Sequence, residues 1–314
     1  MTNLVKIERL FKTISCPPVL GAGRVAHGRI IEKLDNLDFS LTNVVVQPSQ
    51  ILTLHMFDSK EFAYYMSGEA NRFFLASMIS LDRAKNDESE NLSWQVVEHY
   101  YAAYYAVHYL IRVSGNSLTN IDKAALNIIL RSNLTGNTYQ GLSSGLNLMC
   151  YDQSCENIVL HKHDRKDKKG GSHADAWELW VSIIEKLLVA ANADVEEYAE
   201  SAVSLSEHLR FIKRSNNTFS PTVIRNEINY QFSNNAWCFD DLTKDKINRV
   251  RRAISENNMS LRNNNGDLLA NLICNNNFII FLAKKIFLSA SQNNSKSICR
   301  SLLNKYKKKI PALI

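Results

Sequence analysis

The segment PTVIRNEINYQF, residues 221–232, carries side chains suited to work on a phosphate. On a helix Arg225 and Asn229 stand one turn apart, as do Asn226 and Tyr230, while Ile224 and Ile228 mark an adjoining stripe for burial. A guanidinium on such a helix needs a carboxylate, a backbone carbonyl or a bound phosphate. Holding a phosphate is not cleaving it. Attack by a ribose 2′-hydroxyl needs one group to take a proton and another to return one, both titrating near neutrality. Asparagine does not titrate, and a phenol with a pKa of about 10 requires strong activation. The nearest imidazoles to recruit are His99 and His108, provided they face Arg225.

Both belong to the stretch that must position the site, SWQVVEHYYAAYYAVHYLIRVSG, residues 93–115. Trp94, Val97, Tyr101, Tyr104, His108 and Ile111 recur at helical spacing, and Val96, Tyr100, Ala103, Val107 and Leu110 make a second face. A helix apolar over most of its circumference belongs inside its domain. Ser93 is expected to cap it and Gly115 to close it in a left-handed conformation. Buried tyrosines usually direct their hydroxyl to one partner, so a tyrosine of this helix, or Glu98, is expected to hydrogen-bond Arg225.

Few Gly and Pro and long helical periods predict a mostly α-helical chain in three parts. Residues 1–58 read as an arm, either irregular or holding a small strand pair in the β-branched runs around Pro48, 59–240 as the helical core, and 241–314 as an appended layer of basic helices. Within the core, residues 69–85, 121–132 and 172–208 are expected to be helical, the last with a break near Asn192. Residues 133–155, rich in Gly, Ser and Asn, predict irregular chain with one helical turn near Leu142–Leu148. The GAG at 21–23 lacks the Lys-Ser/Thr ending of a phosphate loop.

Net charge is +6, but residues 244–314 hold fourteen Lys or Arg against three acids, a local +11 that leaves −5 elsewhere. That asymmetry suits an acidic partner such as nucleic acid, with Arg249, Arg251, Arg252, Lys307 and Lys308 as contacts, or simply a solvated helical face. The closing YKKKIPALI offers an apolar tail for docking on a partner. The polar window 161–177 contains His161, His163, Asp164 and His173, all able to bind metal, but KDKKGG reads as a flexible solvated loop, so no metal or other cofactor is expected. Six scattered cysteines lack zinc-site spacing and fit a reduced compartment. No run reaches the roughly 18 apolar residues of a membrane span and no signal peptide is evident, which predicts a cytoplasmic protein.

Over residues 69–240 the chain resembles the HEPN superfamily, helical domains of bacterial toxins and antiviral effectors. YYAAYYAVHYLIRVSG is similar to that family's second-helix pattern, and RNEINY to its C-terminal signature, in which an arginine and a polar residue precede a histidine. Arg225 matches the arginine and Asn226 the polar position; Asn229 and Tyr230 stand where the histidine belongs. The resemblance implies a HEPN-like bundle and a metal-independent RNA-cleaving site that converges across a homodimer, within a bacterial defence or toxin complex. Arg225, Asn226 and Tyr230 are then the catalytic candidates, supported by Asn229, Tyr101 and His108. The altered motif leaves two alternatives open, a non-catalytic adaptor binding protein or nucleic acid, and a nucleotide-binding sensor.

Overall fold

The computed structural model describes residues 3–23, 28–36, 38–89, 91–134, 136–152, 154, 156–163, 172–214, 218–234, 236–240, 242–256, 261 and 267–314. Among them the elements run α1 (Asn3–Ile14), α2 (Pro17–Leu20), α3 (Ile30–Leu34), β1 (Phe39–Val45), β2 (Ile51–Met56), α4 (Ser59–Asn86), α5 (Leu92–Val113), β3 (Asn116–Ile121) and α6 (Lys123–Arg131). There follow β4 (Gly145–Asp152), β5 (Asn157–Lys162), α7 (Ser172–Ala193), α8 (Val195–Ile212), α9 (Ser220–Tyr230), α10 (Lys244–Ser255), α11 (Leu268–Asn293) and α12 (Ile298–Tyr306). The chain is mostly helical, with one five-stranded antiparallel sheet.

At the centre lie α4, α5 and α11. Phe74 of α4 stacks on Phe287 of α11 with ring centroids 4.0 Å apart, and Tyr109 of α5 lies 5.1 Å from the same Phe74 ring. Since all three are fully buried, Phe74→Ala is expected to cost about 3–5 kcal/mol. Urea denaturation measures this; a loss under about 1 kcal/mol would mean that this junction is not the core.

The C-terminal helices are therefore more than an appended layer. Apolar residues run round α11, from Leu269 through Phe278–Ala283 to Phe287, and burial on all sides follows. By length and composition α11 could cross a membrane, yet 72% of that window is buried inside the molecule. The closing tail also turns inward rather than waiting for a partner. Leu313 is fully buried, and the Ala312 N–H donates to Asp82 Oδ1 of α4 at 2.7 Å.

The sheet corrects two further expectations. Its order is β1-β2-β5-β4-β3, so the N-terminal hairpin pairs with strands from the middle of the chain and is no separate arm. The stretch expected to be irregular, with a helical turn near Leu142–Leu148, contains β4. A half-buried strand needs apolar side chains only at alternate positions. Met149 and Tyr151 of β4, with Ile158 and Leu160 of β5, supply them between less buried neighbours.

Helix ends follow capping chemistry, with the cap of α5 two residues before the expected Ser93. Asn91 Oδ1 accepts from the Ser93 N–H, placing Ser93 inside α5 and the cap before it. Thr243 and Ser297 likewise cap α10 and α12. Gly115 follows α5 at φ +81°, the left-handed turn its type permits.

Candidate functional site

Pro221 occupies the first turn of α9, and Ile224 and Ile228 bury fully against the core. This phase fixes Arg225 over α5. Its Nη2 donates to the Tyr101 hydroxyl, Nη1 donates to Asn226 Oδ1 at 2.9 Å, and Nη1 reaches the Tyr230 hydroxyl at 3.5 Å. The guanidinium carbon lies 5.4 Å from the Tyr101 ring centre and 5.2 Å from that of Tyr230. Among the described residues no carboxylate pairs with Arg225, and its Nε is buried without a partner. Glu98, the alternative to a tyrosine, faces Arg83 at 3.6 Å instead. Asn229 is half-buried and makes no hydrogen bond to Arg225 among the described residues.

The bond between Arg225 and Tyr101 joins two helices, and a double-mutant cycle with Arg225→Ala and Tyr101→Phe reads its strength. We expect stability changes that depart from additivity by about 1 kcal/mol; additivity within about 0.3 kcal/mol would contradict the contact.

Neither histidine of α5 stands at Arg225. His99 turns to α11, where its Nε2 lies 2.9 Å from Asn277 Oδ1, and burial pushes its pKa down to about 4. His108 lies flat on Phe73 with ring centroids 4.7 Å apart, and its Nδ1 is 3.1 Å from Nη1 of Arg112. Arg112 in turn donates to Glu69 Oε1 at 2.5 Å. Burial, then the charge of Arg112, holds His108 well below the usual imidazole range. It is a packed, neutral core residue, not the supporting acid–base group expected of it.

A third imidazole takes the place. His173, grouped in the sequence with the potential metal ligands of the 161–177 window, is the second residue of α7, which starts at Ser172 as expected. Its ring stacks on Tyr104 with centroids 4.2 Å apart and meets Tyr101 edge-on at 6.0 Å. Nδ1 lies 2.8 Å from the Tyr100 hydroxyl, which also accepts from Trp177 Nε1 at 3.3 Å. Tyr100 thus anchors one ring nitrogen, and no described residue hydrogen-bonds the other. Partial burial, then the charge of Arg225, lowers the His173 pKa. The sequence held a signal for it: position 173 is four residues before Trp177, in phase with Trp180, Ile184 and Leu187.

The first turn of α7 is tied to the sheet by His163, whose Nε2 lies 2.8 Å from Asp175 Oδ1. Together with Glu178 these residues bring three potential ligand atoms within 4.8 Å of one another. The described contact is a side-chain pair linking the end of β5 to the helix that carries His173. His161 lies on β5, while Asp164 and the KDKKGG run fall outside the described residues.

The basic candidates divide. Arg249 and Arg252 are exposed on α10, the latter paired with Glu256 at 2.5 Å. Arg251 is tied to the carbonyl of Ser89 at 2.5 Å, so its guanidinium is already committed to the fold. Lys307 and Lys308 are exposed beyond α12. A cleft of about 580 Å³ lined by Ile7, Phe281, Lys284 and Lys285 holds none of the Arg225 constellation.

No protein-family model, curated protein or solved structure matches the chain.

Proposed function

We propose that the chain is a HEPN-like, metal-independent endoribonuclease of a bacterial defence or toxin system, acting in the cytoplasm as a homodimer or as a subunit of a larger complex. One observation carries the reading: a guanidinium whose partners among the described residues are phenols and an amide meets the same Tyr101 as an imidazole whose pKa is lowered by burial and by that guanidinium. An arginine without a carboxylate is ready for a phosphate. A histidine kept neutral is ready for a proton.

In the proposed reaction Arg225 holds the scissile phosphate and stabilises the charge that grows on it. In the tautomer whose Nδ1–H donates to the Tyr100 hydroxyl, His173 takes the proton of the 2′-hydroxyl on its unprotonated Nε2. The 2′-oxygen bonds to phosphorus, the bond from phosphorus to the 5′-oxygen breaks, and that oxygen receives a proton, for which the Tyr230 hydroxyl is placed beside Arg225. Asn226 holds the guanidinium in orientation. The products are a 2′,3′-cyclic phosphate and a 5′-hydroxyl.

The adaptor reading keeps one observation of its own, since the same contacts from Arg225 to Tyr101 and Asn226 also pin α9 to α5 as a structural knot. Incubating purified protein with RNA in the presence of a chelator separates the two. Cleavage that disappears in Arg225→Ala supports the enzyme, and RNA left intact by the wild type rejects it.

A further inference from the structure

Beyond Tyr230 the surface carries a group of aromatic rings that the folded core does not use. Phe232 and Phe239 are 53% and 64% exposed, and Trp94, on the first turn of α5, is 53% exposed. They gather on Trp237, whose ring lies 5.2 Å from Phe232, 5.6 Å from Phe239 and 6.2 Å from Trp94. The Trp237 and Phe239 planes are within 15° of parallel. Trp237 is fixed from below by its Nε1, which donates to the carbonyl of Ile228 at 2.7 Å.

The chain turns sharply out of α9 here: Phe232 adopts φ +51° and Asn234 φ +69°, with the Ser233 N–H donating to the Glu227 carbonyl at 3.2 Å and Asn234 Nδ2 to Glu227 Oε2 at 3.0 Å. The turn holds the Phe232 ring in water, and exposed apolar groups gathered in one place mark binding surfaces. The patch follows the site along the chain, because Tyr230, 64% exposed and 5.2 Å from the Arg225 guanidinium, stands two residues before Phe232. Its other flank is α10, where Lys246 reaches the carbonyl of Asn234 with Asp240 and Asp267 near it, and Arg249 follows one turn later on the exposed face.

We infer that Trp94, Phe232, Trp237 and Phe239 form a stacking platform for the bases of single-stranded RNA, with α10 tracking the backbone and Tyr230 leading the strand to Arg225. Flat rings beside a cationic helix are the elements by which single strands are held without a sequence code. A second copy of the chain is a poorer occupant, since a symmetric contact would set the basic helix against itself. The inference deepens the ribonuclease reading and rests on it for the direction of the strand.

The test measures binding of the full chain to a 2′-O-methyl oligouridylate of about 12 nucleotides, a length within the range of known single-strand sites and resistant to cleavage. Tryptophan quenching and anisotropy report it. Trp94→Ala and Phe239→Ala are each expected to weaken binding about tenfold or more, with unchanged thermal melting. Arg249→Ala should lower the salt slope by about 1. Wild-type affinity in both aromatic variants overturns the platform, as does absence of binding to the wild type. So does a dimer that these variants break while oligonucleotide affinity stays the same. If the wild type binds through the platform but cleaves no RNA, the platform stands and the ribonuclease falls. If RNA is cleaved with the same KM in the aromatic variants, the reverse holds.

Discussion

Replacing His173 with Ala is expected to lower RNA cleavage by about 10²–10⁴-fold, the range a positioned general base contributes. Arg225→Ala should fall at least as far, since it removes the charge that meets the phosphate. Neither change should unfold the chain. Arg225 is only part-buried and His173 sits at the first turn of α7. The pH profile separates the two roles. Because burial and Arg225 both lower the His173 pKa, the imidazole stays neutral below its ordinary value of about 6.5. Cleavage should therefore hold constant from neutrality to below that pH before it declines. In Arg225→Ala the guanidinium charge is gone, and the decline of the residual activity should move to higher pH. A profile that does not move would place Arg225 too far from His173 to act on it.

A second large effect is acid destabilisation, and it originates in the core. His208 of α8 accepts from Trp180 Nε1 at 2.9 Å, and its Nδ1 donates to Asn275 Oδ1 at 2.8 Å. Both nitrogens are thereby satisfied in the neutral ring. His99 is likewise served by Asn277 at 2.9 Å and Asn276 at 3.5 Å. Burial pushes each of these histidines down to about 4, against about 6.5 in the unfolded chain. Between those values the unfolded state binds more protons than the folded one, so stability is full above about pH 6.5 and drains as pH falls toward 4. Each histidine accounts for about 3 kcal/mol over that window. Denaturant midpoints at about pH 7 and pH 4.5 read the loss. In His99→Gln and His208→Gln, whose side chains do not titrate, the slope should flatten by that share. A wild-type midpoint unchanged across the window would mean that these rings are not buried neutral.

The contact at the heart of the site was legible because both partners lie on strongly periodic helices. Tyr101 on its stripe and Arg225 beside Ile224 and Ile228 predict a polar contact between helices, and α5 and α9 make it. The start of α7 at Ser172 was legible, but the role of His173 was not, because the Lys-, Asp- and Gly-rich run before it grouped it with potential metal ligands, although the four-residue step to Trp177 shows the phase. The strands were obscured differently: β4 carries Gly145 and a buried Asn147 on the same face as Met149 and Tyr151, so composition read as loop where the inward face was packed. In α11 the asparagines 275–277 look solvent-facing, and only the positions of His99, His208 and the Ala253 carbonyl reveal that they are buried and paired. Partners brought together over such separations are fixed by packing, which no local window contains.

The central claim is that Arg225 and His173 form one ribonucleolytic centre. End-group analysis of RNA incubated with wild type, Arg225→Ala and His173→Ala, with a chelator present throughout, tests it most directly. The account predicts 2′,3′-cyclic phosphate ends from the wild type and almost none from either variant. RNA left whole by the wild type, or the same ends released at wild-type rate by the variants, would contradict it.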